Sequence, residues 1–285
     1  MRNPRAEAFE RLEGRYEVRV LEPSPPAVRR PPWFADDPAA RGKVKRGRKL
    51  VSPVTSGDIL WDDLAAGDPA LAEWCADRWL GAWRRLGPIP SGFADTRAAL
   101  HRVAEDVMKP ARERANGKFG LRYTRDGFGT PFFGADEQVR VEGTELIFDS
   151  PSDHRRVRLD VDSAAARALA DWYGFSSSVL EQLRAEGPRK FEASRVQLWP
   201  EHFDLAVVMG SEAAGRRANY GCSPGDEQHP EPYVYVAPFE PAAARGEGWN
   251  ATGFAGAELS YAELLGAGDQ RARALDFLRD RLAAL

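Results

Sequence analysis

Residues 118–161, KFGLRYTRDGFGTPFFGADEQVRVEGTELIFDSPSDHRRVRLDV, decide the fold class. Phe119, Leu121 and Tyr123 alternate with Gly120, Arg122 and Thr124, the period of two that a half-buried strand imposes. Glycines punctuate GFGTPFFG, VRVEGTELIF reads as a hairpin turning at Glu142–Gly143, and HRRVRLDV supplies a further strand. Asp162 or Ser163 then caps a helix through Tyr173, Gly174 interrupts it, and Ser176–Ser178 recaps a second piece ending near Gly187. The last third repeats the plan, with RVQLW, HFDLAVVMG and YVYVAPF as strands. A helix follows, opened by the capping box SYAE (Ser260, Glu263), and Leu275, Leu278, Leu282 and Leu285 line a terminal amphipathic helix. Strands grouped before helices favour an α+β fold over a doubly wound sheet. The expected architecture is an N-terminal helical layer on antiparallel sheet built from two βββα blocks. The divisions are 1–117, 118–187 and 188–285.

The N-terminal part is less regular. Tyr16, Val18 and Val20 alternate in a strand over 14–21, and a proline-rich stretch from Glu22 to Gly57 excludes helix and central strand. Asp68 and Pro69 open a helix carrying Leu71, Cys75, Trp79 and Trp83, and Trp74, Trp79 and Trp83 read as core. A second helix starts near Asp95 with Leu100, Val103, Val107 and Met108 on its apolar stripe. Pro110 is expected to kink or divide it, and Asn116–Gly117 to close it.

Composition sets limits. The 285 residues can bury a core without staples, and 43% hydrophobic and 29% charged residues suit a globular chain. A net charge of −3 exerts no global pull on nucleic acid or anionic membrane. No apolar run is long enough to span a bilayer, and the start lacks a secretory h-region. Two distant cysteines, Cys75 and Cys222, fit a reducing, cytoplasmic setting.

The strings PPWFADDP, WCADRWLGAWRRLGP, FGLRYTRDGFGTPFFG, DWYGF, VQLWPEHFDLAVVMG and YGCSPGDEQHPEPYVYVAP run through most of the chain. Together they resemble a family of conserved hypothetical proteins found mainly in actinobacteria. The C-terminal third is similar, more loosely, to a second bacterial family. The resemblance implies a cytosolic bacterial protein and carries over no chemistry.

The residues themselves suggest one constellation. Glu201, His202 and Asp204 stand on or beside the HFD strand, and Asp226, Glu227, His229 and Glu231 follow in the loop SPGDEQHPEP. His202 and Asp204, two apart, share a strand face. If the loop folds over that end of the sheet, His202, Asp204, Asp226, His229 and Glu231 are the set to hold a divalent transition metal such as Zn²⁺, Mn²⁺ or Fe²⁺. Glu201 or Glu227 would then act as general base, with Arg122 and Tyr235 as ligand contacts. The spacing matches no strong signature, so a polar network that only ties down loops competes with it. Cys222 and His229 form a weaker nucleophilic pair. Arg122 and Arg125 with nearby glycines suit an anion pocket, against the plainer reading of turns and core aromatics. The run Arg41, Lys43, Lys45, Arg46, Arg48, Lys49 is the only basic cluster that could meet nucleic acid, and a solvated loop is its default.

Three readings follow. The first is a small-molecule-binding protein or metal-assisted enzyme. The second is a non-catalytic structural or interaction protein, and the weakest is association with nucleic acid.

Overall fold

The computed structural model describes residues 83–124, 126–130, 138–149, 153–186 and 193–285. The expected strand over 14–21, the proline-rich stretch, the basic run 41–49 and the helix bearing Cys75, Trp74 and Trp79 lie outside the described residues, as does Arg125.

The described chain enters through helix α1 (Phe93–Val103), passes without a break through a π-helical turn (Ala104–Met108) and continues as α2 (Lys109–Asn116). Leu100 and Met108 are buried at this helix's inner face. Pro110 does not divide it. Lys109 donates its N–H to the Ala104 carbonyl, five residues back. This wider turn just before the proline makes room for a ring and a missing donor that a regular α-turn rejects. Gly117 closes the helix in the left-handed conformation (φ 71°).

Strands β1 (Arg122–Thr124), β2 (Gly127–Gly129), β3 (Gln138–Glu142), β4 (Glu145–Asp149) and β5 (His154–Arg158) form an antiparallel meander in sequence order. The β3–β4 hairpin closes on the Glu142–Glu145 pair, so its two turn residues are Gly143 and Thr144. GFG, expected as part of a turn, is a strand.

Helix α3 spans Ser163–Glu186, and Asp162 caps it by accepting from the Ala165 N–H at 2.8 Å. Gly174 does not interrupt it. A Cβ there would lie 3.1 Å from the Tyr123 hydroxyl, so the missing side chain lets β1 approach the helix closely. Packing thus overrides a helix propensity cost of about 1 kcal/mol. Ser176, Ser177 and Ser178 are buried within the helix and start no new one; the Ser178 hydroxyl donates back to the Phe175 carbonyl at 2.7 Å.

The second sheet is also a five-stranded antiparallel meander: β6 (Gln197–Trp199), β7 (Asp204–Met209), β8 (Ala218–Ser223), β9 (Tyr233–Pro238) and β10 (Ala257–Ser260). Strands β8 and β10 are additional to the three expected, so each block is a five-stranded meander followed by helix. Ser260 and Glu263 form the capping box of α4 (Tyr261–Gly266), and Asp269 caps α5 (Gln270–Ala284) through the Ala272 N–H.

The fold is α+β. Leu121 and Leu198 exchange both backbone hydrogen bonds, 2.7 and 2.9 Å, in one antiparallel bridge that joins the first strands of the two meanders. Helix α3 packs against β1 and β2 of one sheet and β7 and β8 of the other. It is therefore apolar on most of its circumference, with Leu169, Trp172, Tyr173, Phe175, Val179, Leu180 and Leu183 in the core. No helix among the described residues is long and apolar enough to cross a membrane.

Candidate functional site

Alternation divides the second sheet into an apolar and a polar face. Leu205, Val207, Tyr220, Cys222, Val234, Val236 and Leu259 are at most 1% exposed and make the core side. The register matches Leu205 with Cys222, Cys222 with Val234 and Val234 with Leu259. The other parity places Trp199, Asp204, Ala206, Gly221, Ser223, Tyr233, Tyr235 and Glu258 on the opposite face.

A four-residue turn, Pro200–Phe203, leads into β7. Phe203 holds φ 56°, unusual for an aromatic residue, and its N–H donates to the Trp199 carbonyl at 2.7 Å. Its ring stacks on His101 and meets Phe128 and Tyr173 edge-on, while its carbonyl accepts from the Tyr173 hydroxyl at 2.7 Å. This aromatic anchor fixes where the next residue, Asp204, enters the sheet.

Asp204 is 5% exposed. The Tyr235 hydroxyl donates a hydrogen bond to its Oδ2, whereas Oδ1 is buried and receives none among the described residues. Burial pushes the Asp204 carboxyl above its ordinary range; the Tyr235 bond, the neighbouring His202 and the residue's own backbone N–H oppose the shift, and Glu201 reinforces it. Tyr235 is displaced well upward by burial and by the Asp204 charge.

The tyrosine reaches Asp204 across Gly221, its direct partner on β8. A Cβ at Gly221 would lie 2.5 Å from the Tyr235 hydroxyl oxygen.

The SPGDEQHPEP loop is held from beneath. Arg97 of α1 donates to the carbonyls of Pro224 (3.3 Å) and Pro230 (2.9 Å). Asp226 Oδ1 accepts from the N–H groups of Gln228 and His229, both at 2.7 Å, so this carboxylate shapes the loop's own turn. Glu227 and Glu231 are exposed. His229 tilts against Tyr233 with ring centroids 4.7 Å apart, and its Nε2 lies 3.5 Å from Glu258 Oε2. Tyr233 also hydrogen-bonds with Ser223. Burial raises it most, and Asp226, Asp204 and Glu258 all add to the rise.

Of the residues singled out from sequence, Asp204 and Tyr235 thus meet directly. His202 stands exposed beside them on the turn. Glu201 is ion-paired with Lys109 Nζ at 2.8 Å, and Arg122 is buried on β1 of the first sheet. Glu258 and Ser223 belong to the same polar face and were missed. Seeing AELS as a strand paired with YVYV would have found Glu258 opposite Tyr235. Among the described residues no group of three His, Cys, Asp or Glu is set to hold a metal ion.

Cys222 is fully buried on the core face, and burial pushes its thiol up to about 12. A thiolate does not form there near neutral pH, which removes the proposed Cys222–His229 nucleophilic pair. With Cys75 replaced by Ser, the native protein should take up no thiol reagent until denaturant is added; stoichiometric labelling of the folded protein would contradict this burial.

Comparison of the chain with protein-family models, curated proteins and solved structures gives no match.

Proposed function

We propose that the polar face of the second sheet binds a small molecule, with Asp204 and Tyr235 as its central pair and Asp204 as the carboxyl able to exchange a proton. One observation carries the reading: Asp204 is buried on the polar face of the sheet with one oxygen bonded and the other without a donor among the described residues. A buried carboxylate left half-satisfied costs stability, and such groups persist mainly where function needs them. A carboxyl displaced upward beside a tyrosine hydroxyl is also a suitable acid–base element. The reading needs no metal. Arg97 and Asp226 keep the loop in shape, and Tyr233, Ser223, His229 and Glu258 supply further contacts. A cytosolic setting is part of the proposal and rests on the resemblance to actinobacterial proteins.

Asp204→Asn tests it without knowledge of the ligand. The folded Asp204 carboxyl stands above its ordinary value, so the native state binds this proton more tightly than the unfolded chain. Its contribution is fully present below the unfolded value and is lost as pH rises through the folded one. The neutral amide escapes that loss. The variant should match wild type near pH 4 and exceed it by about 1–2 kcal/mol at neutral pH in urea unfolding. A variant less stable than wild type at neutral pH would mean a compensated, structural carboxylate, and the proposal would fall.

A further inference from the structure

The polar face carries a row of four rings: His229 and Tyr233 at 4.7 Å, Tyr233 and Tyr235 at 6.1 Å, and Tyr235 and Phe254 at 6.0 Å between centroids. Two carboxylates flank the row. Asp204 is bonded to Tyr235, and Glu258 stands opposite Tyr235 in register. Asp204 Oδ1 and Glu258 Oε2 are both buried without a hydrogen-bond donor among the described residues. His229 Nε2 lies 3.5 Å from Glu258 Oε2.

Groups that might have supplied those donors are occupied elsewhere. The Arg97 guanidinium serves the carbonyls of Pro224 and Pro230, and Lys109 serves Glu201 and Glu105. Asn250, beside Glu258, spends its side chain on the Glu258 backbone, donating to the carbonyl at 3.0 Å and accepting from the N–H at 2.9 Å. The Tyr235 hydroxyl is already donated to Asp204. The exposed carboxylates of Glu227 and Glu231 add negative charge from the adjoining loop.

We infer that this site takes a small organic cation, a primary amine or quaternary ammonium, packed against the Tyr233–Tyr235–Phe254 rings with its charge facing Asp204 and Glu258. The inference rests on the Asp204–Tyr235 reading above and adds the ligand's class. Aromatic faces attract a cation through their quadrupole, most strongly where water is excluded. Two buried acceptor oxygens without donors are completed by a guest that is donor-rich or positive. A neutral polyol presents as many acceptors as donors and would need protein donors for its own oxygens, whereas the Arg97, Asn250 and Tyr235 donors are engaged elsewhere.

The test uses the full chain, with n-butylammonium and tetramethylammonium chlorides as probes and sodium chloride holding ionic strength constant. Sorbitol and n-butanol are the neutral comparisons. Thermal unfolding should show a saturable rise with a cation, about 3 °C at ten times its Kd. Asp204→Asn should abolish the rise, and Glu258→Gln should weaken binding at least tenfold. Sorbitol giving the same Asp204-dependent rise would overturn the charge class and leave the binding site standing. No rise from either cation up to about 100 mM would overturn the inference outright. The pH profile of Asp204→Asn needs no probe, so failure of the underlying site reads out separately.

Discussion

Replacing Phe203 with Ala should cost about 3–5 kcal/mol of folding stability, and replacing it with Gly about 1 kcal/mol less. The ring stacks on His101 at 4.9 Å and meets Phe128 at 5.1 Å and Tyr173 at 5.6 Å, so truncation empties the middle of an aromatic cluster. The backbone pulls the other way. At φ 56° any residue with a Cβ is strained, and only glycine is at ease. Aromatic packing and the Tyr173 bond to the Phe203 carbonyl hold the strained turn in place. Elsewhere an alanine is normally the milder truncation, so the inverted order is a sharp signature. Urea midpoints with unchanged slopes would measure it. An alanine variant more stable than the glycine one would show that the turn carries no such strain.

The second large effect is expected at Gly221. Gly221→Ala puts a methyl group against the far end of the Tyr235 ring, which must swing aside and release Asp204. Overpacking and the loss of Asp204's bond to Tyr235 together should cost about 2–4 kcal/mol. Because the alanine acts through Tyr235, the two sites are not independent. Adding Tyr235→Phe to Gly221→Ala should cost much less than Tyr235→Phe does alone. Additive losses in that double-mutant cycle would mean that the glycine serves the sheet and not the pair.

Much of the architecture was legible because alternation and caps are local signals. Tyr123 in β1, the hairpin around Gly143, the Asn116–Gly117 helix end and the Ser260–Glu263 box all follow from a few neighbouring residues. The failures had non-local causes. β8, ANYGCS, is buried on both faces apart from Asn219 and interrupted by glycine, so no polar alternation marks it. β10 has four residues, too few to set a period. Gly174 looked like a helix break because the Tyr123 side chain that requires it lies some fifty positions earlier in the chain.

The site divides the same way. Strand parity put Asp204 on a polar face, but its partner Tyr235 depends on a glycine lying between them on an intervening strand. Asp226 reads as a ligand in sequence because nothing there reveals that the Gln228 and His229 amides claim it. Glu201 reads as a base because Lys109 is distant in sequence. Glu258 was invisible without β10.

The bridge between Leu121 and Leu198 fixes how this protein must assemble. Helix α3 follows the first meander in sequence, yet one side of it can leave water only against β7 and β8. Neither half of the described chain is a self-sufficient folding unit, because each lacks a wall of its own interior. Cooperativity therefore extends across both sheets, and damage at the Phe203 turn is felt in the first sheet through Phe128 of β2.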